Sequence, residues 1–483
     1  MRRLLAAFAL AAISIATLAQ DAPPKPVDSL SDFKDGKGTL SPVGTIAARA
    51  LGECSGLVWH DGAWWAHNDS GDGPNLFRAA TPDFSNAEMM AVPGAKNVDW
   101  EEITVFGGDL LVCDVGDNAR KRDDATLYRV KYDAREDGTS GIKLLATYPV
   151  TWPDEPHDCE AAATIDGKLH LVTKDRGEGT GLYRFGELKD GGKNVPELVA
   201  KLDVGPKAMI TGACFDAASG NLILLGYTRI YVYPKDKLQG APAWSTRIEA
   251  NQCEAVCLKD GTLHFCNEQR DVYAVAEFLE RKPASMLPPR VKVELPFEET
   301  AYQPDGTGAT WKSGAAALPL TAAADGQFLR WMISGPNLLV AGSLTYAGAF
   351  TTSDERGNRL QSGMWFGIST EAADLLTGKE TLLFVGEHLE RGMDVWSVDL
   401  KQGIKLERFT QATVKGKVAS GTMLFEFSIP LTALFGLGKL PSHCLANAWG
   451  YGLQGRVEAR VAGSSVMSMT RPYTWADVTI KQP

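Results

Sequence analysis

A short phrase recurs five times in the first half of the chain, each time opening an apolar run. It reads Glu53-Cys54-Ser55-Gly56-Leu57, Asp99-Trp100-Glu101-Glu102-Ile103, Asp158-Cys159-Glu160-Ala161-Ala162, Met209-Ile210-Thr211-Gly212-Ala213 and Gln252-Cys253-Glu254-Ala255-Val256. A turn and a second apolar run follow each phrase. Asp61-Gly62, Gly107-Gly108, Asp166-Gly167 and Asp260-Gly261 supply four of these turns, and such dipeptides favour tight hairpins. The fourth repeat has a longer turn ending at Gly220. Units of roughly 40–60 residues with three or four short strands fall in the size range of propeller blades. A four-stranded sheet cannot bury both faces alone, and radial packing of such sheets solves that problem. The expected fold is therefore all-β, a five-bladed β-propeller with six blades as the alternative, followed by an antiparallel β-sandwich. The fifth repeat lacks an evident fourth strand, and the run Thr45–Leu51 is expected to supply it and close the ring.

The chain has 483 residues, too many for one core, so two domains are expected. Met1-Arg2-Arg3 precedes an apolar run to Ala19 with small residues at Thr17 and Ala19, which reads as a secretory signal peptide over residues 1–19. The run is short for a transmembrane anchor, its following flank is not basic, and no Cys marks a lipoprotein cleavage site. A periplasmic or secreted protein without a membrane span is expected. Residues 20–43, rich in Pro, Asp, Lys and Gly, read as a flexible lead-in. The propeller is placed at 44–280. Lys282-Pro283, Leu287-Pro288-Pro289 and Pro296 mark a linker over 281–304. Short alternating runs place the sandwich at 305–483, with helical turns near Pro430–Leu434 and Asp374–Leu376. A formal charge of −10 argues against nucleic acid as a partner. Seven of the eight cysteines lie in apolar runs of the first half and read as small buried hydrophobes, although export permits disulfides and Cys257 and Cys266 could meet. No Cys/His spacing suits zinc.

Positions two apart on a strand share a face. The inner strand of each blade would line the channel, which gathers Glu53, Asp99, Glu101, Asp158, Glu160 and Glu254 around one axis, with Ser55 and Thr211 in the remaining slots. Like charges so placed raise one another's pKa or call for a cation. Ca²⁺ suits such a set because it takes several hard oxygen ligands in flexible geometry. The alternative is a wet, polar channel of hydrogen-bonded acids. Glu102 is expected to face the other way and to pack or hydrogen-bond. The loops after the second strands share the mouth, where Asn68, Asp69, Asp114, Lys174, Arg229 and Arg270 are candidate ligand-binding residues beside solvated-loop alternatives. His67 and His157 lie near the mouth as candidate bases. No G-x-S-x-G, H-E-x-x-H, Walker or dinucleotide motif occurs.

On the five phrases quoted above, residues 50–280 resemble the SdiA-regulated propeller family and its phytase-like relatives. The resemblance implies an exported propeller, and the phytase-like relatives bind Ca²⁺ with acids around the channel. The loops Asn68–Gly73 and Asp114–Asn118 depart from the EF-hand order. In the second half Asn337-Leu338-Leu339-Val340, Phe425-Glu426-Phe427-Ser428-Ile429-Pro430-Leu431 and Arg471-Pro472-Tyr473-Thr474-Trp475 resemble a family 9 carbohydrate-binding module or a DOMON-type sandwich. There Trp365, Trp396 and Trp449 are candidates for sugar stacking, with core packing as the alternative.

The functional expectation is an exported Ca²⁺-binding propeller that takes a small-molecule or glycan ligand at the channel mouth, with the sandwich for glycan or surface attachment. The alternatives are a Ca²⁺-dependent hydrolase of an anionic ester, of phosphoesterase or lactonase type, and a metal-free protein-interaction propeller.

Overall fold

The computed structural model describes residues 28–480, apart from 135–139, 175–178, 206–207, 251, 288–289, 291, 300–301, 307–315, 318–319, 322–327, 346–362, 372–379, 389, 400–404, 437–440, 452–456 and 462–474. The signal-peptide segment 1–19 and the turn at Asp374–Leu376 lie outside the described residues. No helix among the described residues is long and apolar enough to cross a membrane.

The five phrases each begin the first strand of an antiparallel sheet. The first sheet runs Cys54–His60, Ala63–Asn68, Asn75–Ala79, Glu88–Ala91. The second runs Trp100–Phe106, Asp109–Asp114, Thr126–Ala134, Ser140–Pro149. The third runs Cys159–Ile165, Lys168–Thr173, Thr180–Arg184, Glu197–Leu202. The fourth begins Ile210–Asp216, Asn221–Gly226, Arg229–Pro234, Trp244–Ile248. The fifth holds Cys253–Lys259, Thr262–Asn267, Asp271–Val275 and, at its edge, Gly44–Thr45. The expected fourth strand of the last repeat thus comes from the N-terminal side, as two residues opposite Asp271 and Val272.

The hairpin chemistry is as the sequence prescribes. Asp61-Gly62, Gly107-Gly108, Asp166-Gly167 and Asp260-Gly261 all have positive φ at both residues, the geometry whose twist matches two paired strands.

The first strand of each sheet lies against that of the next, and the fifth lies against the first. Each apolar cluster of this half is shared by two neighbouring sheets. Trp65 and Leu76 meet Trp100 and Val112, and Leu111 and Leu127 meet Leu171 and Tyr183. Val172 meets Leu222 and Tyr231, Ile223 meets Phe265, and Leu57 and Trp64 meet Cys266 and Val272. Both faces of every sheet are buried in this way. All eight cysteines are free, seven of them buried, and Cys257 lies opposite His264 rather than Cys266.

Two segments differ from expectation. The lead-in is structured from residue 28. Leu30–Lys34 and Lys37–Leu40 pair with each other and reach the fourth sheet through Ser285–Met286, making seven strands. The reason is apolar: Leu30, Leu40 and Met286 are buried in the core between the fourth and fifth sheets. The linker likewise contains strands. Lys292–Leu295 pairs with Ala476–Ile480, and Phe297–Glu298 pairs with Phe328–Ser334, so Pro296 separates two edge pieces where its missing N–H is tolerated.

The second half holds two sheets over one core. Gly363–Ser369, Thr381–His388, Gly392–Asp399 and His443–Tyr451 form the middle of one sheet. Phe328–Ser334, Asn337–Thr345, Thr422–Pro430 and Thr413–Ala419 form most of the other. Phe366, Val385 and Val478 face Trp331, Val340 and Phe427 across it. Leu431–Phe435 is the expected helical turn. Trp365 and Trp396 are 1% exposed and flank Phe384, so they are packing residues rather than a sugar platform. The Trp449 side chain lies outside the described residues.

Candidate metal and ligand site

The recurring phrase encodes a β-bulge. In every inner strand the register against the second strand slips by one residue, between Cys54 and Gly56, Trp100 and Glu102, Cys159 and Ala161, Ile210 and Gly212, and Cys253 and Ala255. The extra residues are Ser55, Glu101, Glu160, Thr211 and Glu254. A bulge re-aims its extra side chain and breaks the simple alternation of a strand, so the shared facing expected from a spacing of two is replaced by a bulge at one fixed position. Two of these side chains bind the next sheet: Ser55 Oγ donates to Glu101 Oε2 at 3.2 Å, and Thr211 Oγ1 donates to the Cys253 carbonyl at 2.5 Å.

Of the six acids, Asp99 and Glu101 come together in one cluster, and the six lie in graded environments. Glu101, Asp158 and Glu160 are buried, Asp99 and Glu254 half-buried, and Glu53 exposed. Asp69, Asp99 and Glu101 each offer an oxygen, and these three oxygens lie within 4.8 Å of one another. Asp69 directly follows the second strand of the first sheet, where its N–H bonds the Glu53 carbonyl. Gly116 roofs the cluster. A Cβ there would collide with Glu101 Oε1 and lie 2.6 Å from Asp99 Oδ2. The three carboxylates form a set of hard oxygens suited to a divalent cation.

The electrostatics agree with the crowding. Burial and then the Asp69 carboxylate push Asp99 up to about 6, with Asp158 adding to the effect. Burial, Glu160, Asp69 and Asp99 hold Glu101 well above the usual carboxylate range. Burial raises Glu160 to about 7 against the pull of Lys174. Burial and Glu160 also raise Glu254. Lys174 is buried, ion-paired with Glu160 and 5.6 Å from the centre of the Tyr227 ring. Burial pulls its pKa down, but Glu160, Tyr227 and Glu254 together more than offset this and keep its ammonium charged.

Other expected mouth residues serve the scaffold. Asn68 accepts the Glu53 N–H and donates to the Ala50 carbonyl at 2.7 Å. Asp114 accepts the Asp99 N–H and pairs with Arg122, each at 2.9 Å. Arg270 donates to the Ile46 and Ala48 carbonyls. Arg229 lies beside Arg247 on the fourth sheet, in a groove separate from the acids. Asp158 accepts the Asp117 N–H at 3.0 Å. His67 is fully buried and burial lowers its pKa, which unsuits it as a surface base. His157 meets Tyr183 Oη at 2.8 Å and Asp154 at 3.0 Å, in a cleft with Lys174 and Asp158. Glu102 has the hydrogen-bonding role expected of it: Oε1 accepts the Ile103 N–H at 3.0 Å and Oε2 the Ala213 N–H at 2.9 Å. Sequence reasoning missed Gly116 and grouped Asp69 with ligand contacts rather than with Asp99 and Glu101. The position of Asp69 at the end of a returning strand was the available signal.

No family model and no curated protein matches the chain. Solved structures match weakly. A family 9 carbohydrate-binding module from Caldicellulosiruptor kristjanssonii in complex with glucose is 10% identical, covers 40% of this chain and 96% of its own, and has a TM-score of 0.30. The same kind of module in complex with cellotriose is 11% identical over 40% and 95%, with a TM-score of 0.29. A luciferin-regenerating enzyme is 11% identical over 49% and 95%, also at 0.29.

Proposed function

We propose that the chain is an exported five-bladed β-propeller that binds Ca²⁺ among Asp69, Asp99 and Glu101 and takes a small-molecule or glycan ligand at the channel mouth, with a β-sandwich as its accessory half. The single observation that carries the metal reading is the approach of three carboxylates within 4.8 Å. Like charges so close need a counter-ion or protons, and Asp99 at about 6 would be ionised at neutral pH. The cycle of inner strands and the cores shared between neighbouring sheets support the propeller. Export rests on the N-terminal sequence. The propeller takes in residues 44–280 with the added strands from 30–40 and 285–286, and the sandwich 305–483 with the strands at 292–298.

The test is thermal unfolding with chelator and with Ca²⁺. A native-state ligand at a hundred times its Kd stabilises by about 2.7 kcal/mol. Ca²⁺ should therefore raise Tm in the wild type and not in Asp99→Asn. An unchanged wild-type Tm would end the metal reading.

A Ca²⁺-dependent hydrolase of an anionic ester is a second reading, favoured by Glu160. Its carboxyl, raised to about 7, sits beside the cation cluster and against Lys174, so it can exchange a proton near neutrality while Lys174 holds an anion. Phosphate esters and lactones would be screened with Ca²⁺ present. Turnover in the wild type and its loss in Glu160→Gln is expected, and equal turnover in both removes Glu160 from the chemistry.

A further inference from the structure

The fourth sheet carries a feature the acidic mouth does not use. Two of its three added strands extend a row of directly opposed residues. Arg229 lies opposite Arg247, Arg247 opposite Ser285, and Ser285 opposite Lys37. Opposed residues share a face, so one surface carries Lys37, Ser285, Arg247 and Arg229 in line across four strands. At the spacing of neighbouring strands the row is about 14 Å long. Arg290 joins it close enough for Arg247 to depress its pKa, after burial and against Asp477.

These residues line one groove of about 960 Å³ together with Lys34, Asp32 and Asp35. Basic side chains outnumber acidic ones there, although the chain as a whole carries −10. Arginine supplies a planar fork of donors that matches carboxylates. A row of this kind, extended by one strand from the N-terminal side and one from residues 285–286, fits a surface made to receive an anion.

We propose that this groove binds an acidic oligosaccharide, a chain of uronate sugars laid along the Lys37–Ser285–Arg247–Arg229 row. The charges are strung in a line rather than converging, which suits a linear polyanion better than a single phosphate. A uronate chain offers one carboxylate on each sugar. Ser285 and Thr39 add hydroxyls for a hydroxyl-rich partner. No aromatic side chain lines the groove among the described residues, so the stacking platform that single-stranded nucleic acid uses is missing. The site is separate from the carboxylate cluster and does not depend on Ca²⁺ there.

The experiment is calorimetric titration of the full chain with oligogalacturonate at low salt, with chelator present to silence any cation site. Binding is expected to weaken steeply as salt rises toward about 0.5 M, because exposed charges are then screened. Arg247→Gln should lower affinity roughly tenfold or more, the scale of a lost charge-assisted contact. Lys37→Gln, at an exposed position with little effect on folding, should lower it by a smaller factor. Absence of binding by the wild type overturns the proposal, as does wild-type affinity in both variants. Binding of polyphosphate or an oligonucleotide in place of oligogalacturonate overturns the assignment to a sugar.

Discussion

At the scale of single residues, Glu102 shows how a buried carboxyl can be structural. It is fully buried, and its two oxygens accept N–H groups from its own strand and from Ala213 on the inner strand of the fourth sheet. Burial raises its pKa well above the usual range. Glu102→Ala leaves the Ala213 N–H without its carboxyl partner and opens a cavity, and should cost about 2–4 kcal/mol. Glu102→Gln keeps one acceptor oxygen and should cost less. Denaturant unfolding of the two variants measures the difference, and equal small losses would remove the cross-sheet role. The sequence suggested a packing or hydrogen-bonding residue there because Glu102 follows Glu101 on a strand. Its partner, 111 residues away, could not be read from the chain.

At the scale of elements, the bulge makes the site. The phrase was visible as a repeat, and so were the acids within it. The slip in register was not, because a bulge is defined by the partner strand and a single sequence shows no pairing. Glu101, Glu160 and Glu254 therefore read as ordinary strand positions, although each is the extra residue of its strand. The loop after the second sheet's second strand completes the cluster by bringing Gly116 over it, its N–H bonded to the Asp99 carbonyl. Gly116→Ala should push Asp99 and Glu101 apart and abolish the Ca²⁺-dependent rise in Tm while the protein still unfolds cooperatively. A full Ca²⁺ response in that variant would place the ion elsewhere.

At the scale of the whole molecule, the division of charge follows the division of labour among strands. Inner strands carry the acids, and the outer strands of the fourth sheet, with those added at its edge, carry the basic row. Hairpin turns and alternating runs were legible because Asp-Gly pairs and apolar periodicity act locally. Most of the second half's strands were legible for the same reason, Phe328–Ser334 and Thr381–His388 among them. The strands at 30–34, 37–40 and 285–286 were not. A short strand joining an edge is specified by the edge it joins, and a few buried side chains such as Leu30 and Met286 leave little pattern in composition. Arg229, expected at the mouth, lies in the groove that those strands help to line.

The junction of Gly44–Thr45 with Asp271–Val272 can also be understood as a non-covalent cross-link. It ties together segments more than two hundred residues apart, and the Val43 N–H to Val272 carbonyl bond at 2.8 Å, the Ile46 N–H to Arg270 carbonyl bond at 2.8 Å and the Arg281–Asp28 ion pair at 2.6 Å share the load. Closing a loop of that length costs about 5 kcal/mol in chain entropy, beyond a constant term. No single one of these contacts is worth so much, so the clasp holds only when several form together.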